Sequence, residues 1–293
     1  MDNIDFSKIY SVSKLKLFDH CPKAYHFSYL DPIYSKMKTK LRKDPVNIFP
    51  FQTLGKAVHD AITLFFYLDK QDQTLSNLKD QLKISWRSEA MMNKLPPLGK
   101  WGGFVSLEEE RKYYQQALEM LVSFFKNFEF NFKINYLPTK DILRSIEDYK
   151  KLIKPISKSF DISGKFDLIL DIDDGLAIVD FKTGKKEEKD DFQLKFYKLL
   201  AELNFNSPVT KASFYYLKTG NIKEFDLSRE NADKVIKLVL AKIKVINLEK
   251  QFKPIPSKLC QYCMFKNFCP AKDKIKKYID QPVADSFVED LPF

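Results

Sequence analysis

Two sets of side chains suited to binding metal stand out in this chain, and their chemistries differ. Cys21 is alone near the start, while Cys260, Cys263 and Cys269 form a C-x-x-C-x5-C run near the end. Four soft thiolates divided in this way suit a single inorganic centre that ties the two ends together. Between them lie Gly164-Lys165-Phe166-Asp167, Asp180-Phe181-Lys182 and a lone His59. These are the hard oxygen and nitrogen donors that a catalytic divalent cation takes.

Side chains alternate along a strand, so Asp180 and Lys182 share one face and Phe181 points to the other. Asp173-Asp174-Gly175 between two apolar runs is a hairpin signal, and its register decides what Asp167 meets. A loop of Asp173-Asp174 pairs Asp167 with Asp180; a loop of Asp174-Gly175 sets it opposite Lys182 and diagonal to Asp180. Either register gathers two carboxylates and an ammonium. Two such carboxylates repel unless a positive charge lies between them, which Mg²⁺ or Mn²⁺ supplies while leaving positions for water and a phosphate oxygen. Lys182 would then orient or deprotonate the attacking water, or neutralise the developing phosphorane, which is hydrolytic phosphodiester chemistry. On spacing alone D-x-K, frequent by chance, is better read as an ordinary exposed strand face with a surface salt bridge.

These residues need elements to hold them. The chain has 293 residues, 44% hydrophobic and 14% aromatic, which is enough for a substantial core. Ser11-Val12-Ser13 opens a helix from Leu15 to Leu30 that Pro22 should break. Residues 31–50, with Pro32, Pro45, Pro50 and many lysines, read as an exposed loop. Helices are expected over Thr53–Leu68, about 74–93 and 106–127, the last entered through a capping box at Ser106-Leu107-Glu108-Glu109. Strands follow at Phe160–Ile172 and Leu176–Lys182, then a helix at Asp190–Leu203 and a hairpin of Val209–Leu217 with Ile222–Leu227. A last long helix, about 229–250, starts after Ser228. Gln193 and Tyr197 stand at i and i+4 on one helix face, where an amide and a phenol could contact phosphate or stack on a base; helix packing explains them equally.

The balance of 49 Lys+Arg against 39 Asp+Glu gives a net charge of +10 and pI 9.1, which favours a polyanionic partner such as nucleic acid. No apolar run approaches the roughly 20 residues of a membrane span, and the N-terminus lacks a signal-peptide layout. A cytoplasmic chain is the expectation, in which four cysteines suit metal better than two disulfides. No G-x-x-x-x-G-K-[ST] phosphate loop is present, so any ATP-driven unwinding would belong to a partner.

Gly164-Lys165-Phe166-Asp167, Ile178-Val179-Asp180-Phe181-Lys182-Thr183-Gly184, Gln193-x-x-x-Tyr197, Gly55-Lys56-Ala57-Val58-His59 and the opening Ser11-Val12-Ser13 with Phe18-Asp19-His20-Cys21-Pro22 occur in the order of the PD-(D/E)xK nuclease superfamily. The chain resembles its RecB-like branch from residue 11 to about 270. That resemblance implies an α/β fold with a restriction-endonuclease-like central mixed sheet flanked by helices, a helical insertion at about 70–140 within a 1–279 nuclease domain, and an iron-sulfur staple joining the terminal regions. It implies that His59, Asp167, Asp180 and the Phe181 backbone carbonyl bind Mg²⁺ or Mn²⁺, that Lys182 is catalytic, and that Gln193 and Tyr197 contact DNA. Glu147 resembles a recurrent acid of the family with no assigned role. Single-stranded DNA exonuclease activity in repair or recombination is the leading subtype. A CRISPR-adaptation end-trimming nuclease and a catalytically silent DNA-binding iron-sulfur subunit of a helicase-nuclease complex are the rivals.

By spacing alone the four cysteines divide evenly between zinc and an iron-sulfur cluster. Their layout is similar to the 4Fe-4S staple of AddB-type nucleases, exonuclease V and CRISPR-associated RecB-like exonucleases, with Phe265 and Phe268 as its expected shield. Within the acidic tail 280–293, Asp285-Ser286-Phe287-Val288-Glu289-Asp290-Leu291-Pro292-Phe293 resembles the C-terminal tip of bacterial single-stranded-DNA-binding proteins. It would dock a helicase or repair protein, fold onto the chain's own DNA channel, or serve only as a solvated tail.

Overall fold

The computed structural model describes residues 4–91, 93–140, 149–184 and 191–279. Glu147 and the acidic segment 280–293 lie outside them. Ser11 caps α1 (Val12–His20) by accepting from Lys14 N at 3.2 Å, and the helix stops at Cys21. Pro22 then occupies the first turn of α2 (Pro22–Tyr29), where a missing N–H costs nothing. The expected break is therefore present, and it leaves Cys21 at the corner between two helices.

Residues 31–50 are not the loop that their prolines suggest, because α3 (Tyr34–Arg42) lies between those prolines. Asp31 supplies its start, its carboxylate accepting from Ile33 N and Tyr34 N at 2.9 and 3.0 Å. Next comes α4 (Pro50–Phe66), which buries Leu54, Ala57, Val58, Ala61 and Phe65 at helical spacing. The expected 74–93 helix is shorter, α5 (Leu75–Ser85), ending at Trp86. Ser106 caps α6 (Leu107–Asn127), but the Glu109 carboxylate returns to Val105 N at 2.7 Å, one residue before the cap expected for a capping box.

The expected strand at Phe160–Ile172 is in two pieces. Asp161–Ile162 (β4) lies between Ile9–Tyr10 (β1) and Lys154–Pro155 (β3) in a small sheet, whereas Leu168–Ile172 (β5) belongs to the main one. Ser163 ends the first piece by donating its N–H to Tyr10 O at 2.9 Å. Five strands form the main sheet, in the order β2 (Lys133–Tyr136), β5, β6 (Gly175–Lys182), β7 (Val209–Tyr216) and β8 (Asn221–Asp226). It is mixed, because β6 and β7 are parallel and the other pairs antiparallel. The parallel pair requires a crossover, supplied by α7 (Phe192–Phe205).

Two more helices complete the fold: α8 (Ala232–Leu248) and α9 (Lys272–Ile279). The first starts later than expected, because Asn231 caps it while Ser228 N is held by the Asp226 carboxylate at 2.9 Å. Alternation along β6 divides the core. Leu176 and Ile178 pack with α1, α2, α7 and α8 on one side, and Val179 and Phe181 pack with α4, α5 and α6 on the other. The result is a mixed α/β architecture of helix, sheet and helix layers. Among the described residues no helix is long and apolar enough to cross a membrane.

Candidate active site

The hairpin register places the acids. Ile172 pairs with Gly175 and Leu168 with Val179, so the loop is Asp173-Asp174 and Asp167 stands opposite Asp180. The ladder ends at Leu168 and Val179. Just beyond it the Phe181 N–H donates to Asp167 Oδ2 at 2.8 Å, so the acid's own side chain takes up a backbone group past the last strand pair.

Two glycines let helices close on this point. A Cβ on Gly55 of α4 would sit 3.2 Å from Thr183 Oγ1, and one on Gly164 would sit 3.1 Å from Leu200 and 3.3 Å from Tyr197, both on α7. In this way α4 carries His59 to the sheet, where its Nδ1 lies 3.0 Å from Asp167 Oδ1. On the adjoining residue pair, Lys182 Nζ lies 2.9 Å from Asp180 Oδ2. The Gln193 amide donates to Asp180 Oδ1 at 2.8 Å, and its oxygen accepts from Lys182 Nζ at 3.3 Å and Lys16 Nζ at 3.5 Å.

The electrostatics follow from burial and pairing. Burial opposes charge on His59, but Asp167, with Asp180 and Asp60, outweighs it and raises the imidazole to about 9. Burial likewise pushes the Asp167 carboxyl upward, yet the imidazolium, the Phe181 N–H and Lys182 bring it below the usual carboxylate range. For Asp180 burial wins: its carboxyl is raised despite Lys182, and the neighbouring Asp167 adds to the rise. Tyr197 is held as the neutral phenol by burial and by the same two acids.

His59, Asp167, Asp180, Lys182 and Tyr197 all line one cleft of about 670 Å³. Gln193, only 9% exposed, lies behind the cleft wall and touches Asp180 and Lys182 from within. Sequence reasoning missed Lys16 and the aromatic rim of Phe49, Phe51, Tyr113 and Tyr262. Tyr262 had a signal, its place between Cys260 and Cys263; Lys16 had none, since only the packing of α1 near α7 brings it to Gln193.

Among the described residues no three His, Cys, Asp or Glu side chains converge tightly enough to hold an ion as they stand. In the cleft the cause is visible, since each acid is turned toward a protein cation. Two carboxylates and an imidazole are nevertheless a donor set that suits Mg²⁺ or Mn²⁺.

The four cysteines also come together, lining one cavity, and none forms a disulfide. Burial raises the thiols of Cys260, Cys263 and Cys269, that of Cys263 to about 12. Phe265 is fully buried over this cavity against Phe27, whereas Phe268, expected as a second shield, is 39% exposed and stands outside it. The donor set suits a soft metal centre.

A mixed sheet whose strand ends carry D and D-x-K beside a helical histidine defines a class of phosphodiester-cleaving proteins. The family model of the PD-(D/E)XK nuclease superfamily matches residues 9–270, and the chain belongs to that superfamily. Its activity class is therefore nuclease, its substrate class nucleic acid, and its fold restriction-endonuclease-like; nucleases of this superfamily typically use divalent metals. No curated protein matches the chain.

Proposed function

We propose that this protein is a metal-dependent deoxyribonuclease of the RecB-like branch, acting on single-stranded DNA as an exonuclease in repair or recombination, with residues 1–279 as its nuclease domain. The observation that carries this reading is the meeting of His59, Asp167, Asp180 and Lys182 at one cleft. His59, Asp167, Asp180 and the Phe181 carbonyl would hold Mg²⁺ or Mn²⁺. When bound, that ion supplies positive charge for the phosphate oxygens and acidifies a water.

The chain's own residues do the rest. Lys182 Nζ orients the water that attacks phosphorus and stabilises the charge that develops there. The bond from phosphorus to the leaving sugar oxygen breaks, giving a phosphate monoester and a free hydroxyl. Gln193 holds Lys182 and Asp180 in register from behind, and Tyr197 offers a neutral hydroxyl and a ring to the substrate. Phe49, Phe51 and Tyr262 form an aromatic rim on which unpaired bases can stack.

The cysteine centre is structural in this reading, a staple between the α1–α2 corner and the C-terminal segment. The family resemblance favours 4Fe-4S, and four thiolates also suit structural zinc. Iron, zinc and acid-labile sulfide analysis of anaerobically purified protein decides between them. The activity is tested with end-labelled single- and double-stranded DNA and Mn²⁺, beside Lys182→Ala. Degradation of single strands by the native protein alone supports the reading, and equal degradation by both proteins overturns it.

A further inference from the structure

A second cleft of about 410 Å³ opens beside the first, and Gln52 and Tyr262 line both. Its wall combines Arg42 of α3, Lys56 of α4, and Arg87 and Trp101 from the segment between α4 and α6. Among the described residues no carboxylate lines it, although Asp60 pairs with Lys56 from outside. Arg87 Nε is buried without a hydrogen-bond partner among the described residues. Arg42, Lys56 and Arg87 thus bring three cationic side chains to one cleft, a setting that suits an anionic ligand.

The surroundings add charge in the same sense. One turn before Arg42 on α3, Lys38 Nζ stands 3.9 Å from the centre of the Tyr29 ring, with Lys14 Nζ 5.0 Å from the same ring. Burial, then the charges of Arg42 and Lys14, brings the Lys38 ammonium down to about 7. The cleft itself is held firmly. Thr53 Oγ1 donates to Gly102 O at 2.9 Å, and the Glu110 carboxylate accepts from Trp86 Nε1, Leu98 N and Gly99 N at 2.9 to 3.2 Å, fixing the loop that carries Trp101.

We propose that this second cleft is a subsite for the single-stranded DNA backbone, in which Arg42 and Arg87 hold a phosphate and Trp101 stacks a base, with Tyr262 separating it from the nucleotide at the catalytic carboxylates. The inference rests on the nuclease reading for the identity of the strand. Two guanidinium groups beside an indole match a phosphate next to an unstacked base. Continuity through Gln52 and Tyr262 makes it a second position on one strand rather than a separate site for a free anion.

The test is equilibrium binding of the full chain to end-labelled oligothymidylates of three and eight nucleotides, in chelator so that nothing is cut. Native protein should bind the longer strand more tightly. In Arg42→Ala/Arg87→Ala that gain should shrink by about tenfold, and the slope of log affinity against log salt should become less steep by about 1.4, since each lost single-strand phosphate contact is worth about 0.7. Trp101→Ala should reduce the gain and keep the slope. Arg42→Lys/Arg87→Lys keeps the charge and should keep the slope, which separates loss of contact from loss of fold. An unchanged length gain in the double alanine variant, no length gain in the native protein, or inorganic phosphate binding with no length dependence overturns the subsite. Failure of the nuclease reading would show separately, as native protein and Lys182→Ala degrading DNA alike in Mn²⁺.

Discussion

The candidate active-site cleft and the cysteine cavity both gather metal-type ligands, yet they hold them in opposite electrical states. In the cleft, Asp167 faces an imidazolium and Asp180 an ammonium, so each acid has a counter-charge before any ion arrives. In the cysteine cavity, burial keeps three of the thiols protonated; Lys23 and Lys266 line the cavity, and burial lowers the Lys266 ammonium. Ion pairs formed within the protein can persist as cations come and go. A cage of neutral thiols gains its cohesion only when metal displaces the protons. On the proposed reading the cleft would exchange its ion and the cysteine cavity would keep it.

The largest effect should come from Cys263→Ala, which removes the most deeply buried thiol of the cage. Bound iron or zinc should be lost and stability should fall by about 3 kcal/mol or more, read by metal analysis and thermal melting. A metal-free variant that melts like the native protein would erase the contrast. Next, Lys182→Ala should lower the cleavage rate by about 10³-fold while keeping the fold, because the Asp180 carboxyl, already raised, can take a proton in place of its partner.

Chelation sharpens the comparison more directly. Removing the exchangeable cation with EDTA should abolish cleavage and move the melting temperature by less than about 3 °C, under roughly 1 kcal/mol for a domain of this size. Stripping the cysteine metal should lower it several times further. The smallest effect belongs to Gly55→Ala. Its methyl group would stand 3.2 Å from Thr183 Oγ1, so α4 or Thr183 must yield by a few tenths of an ångström. The turnover rate should fall by about tenfold or less with little change in stability, because positioning is more sensitive than packing to such a shift.

Much of the fold was legible because local rules agreed with one another. Pro22 marked the α1–α2 corner, and Asp173-Asp174-Gly175 marked the β5–β6 hairpin. Legibility failed where one residue type carried two meanings. The prolines around 31–50 bounded a helix rather than excluding one, since Asp31 could cap it. Ser228 looked like a cap, but its N–H was already engaged by Asp226.

In the site the same division holds. Residue types and spacing singled out His59, Asp167 and Asp180 as a hard donor set with Lys182 beside it, and the four cysteines as a soft one, because hardness is a property of the side chain. Which register brings Asp167 opposite Asp180, that Gln193 turns inward, and that Tyr262 links two clefts were decided only by tertiary packing. Strand register and helix approach depend on contacts between residues far apart in the chain, and no local pattern encodes those distances.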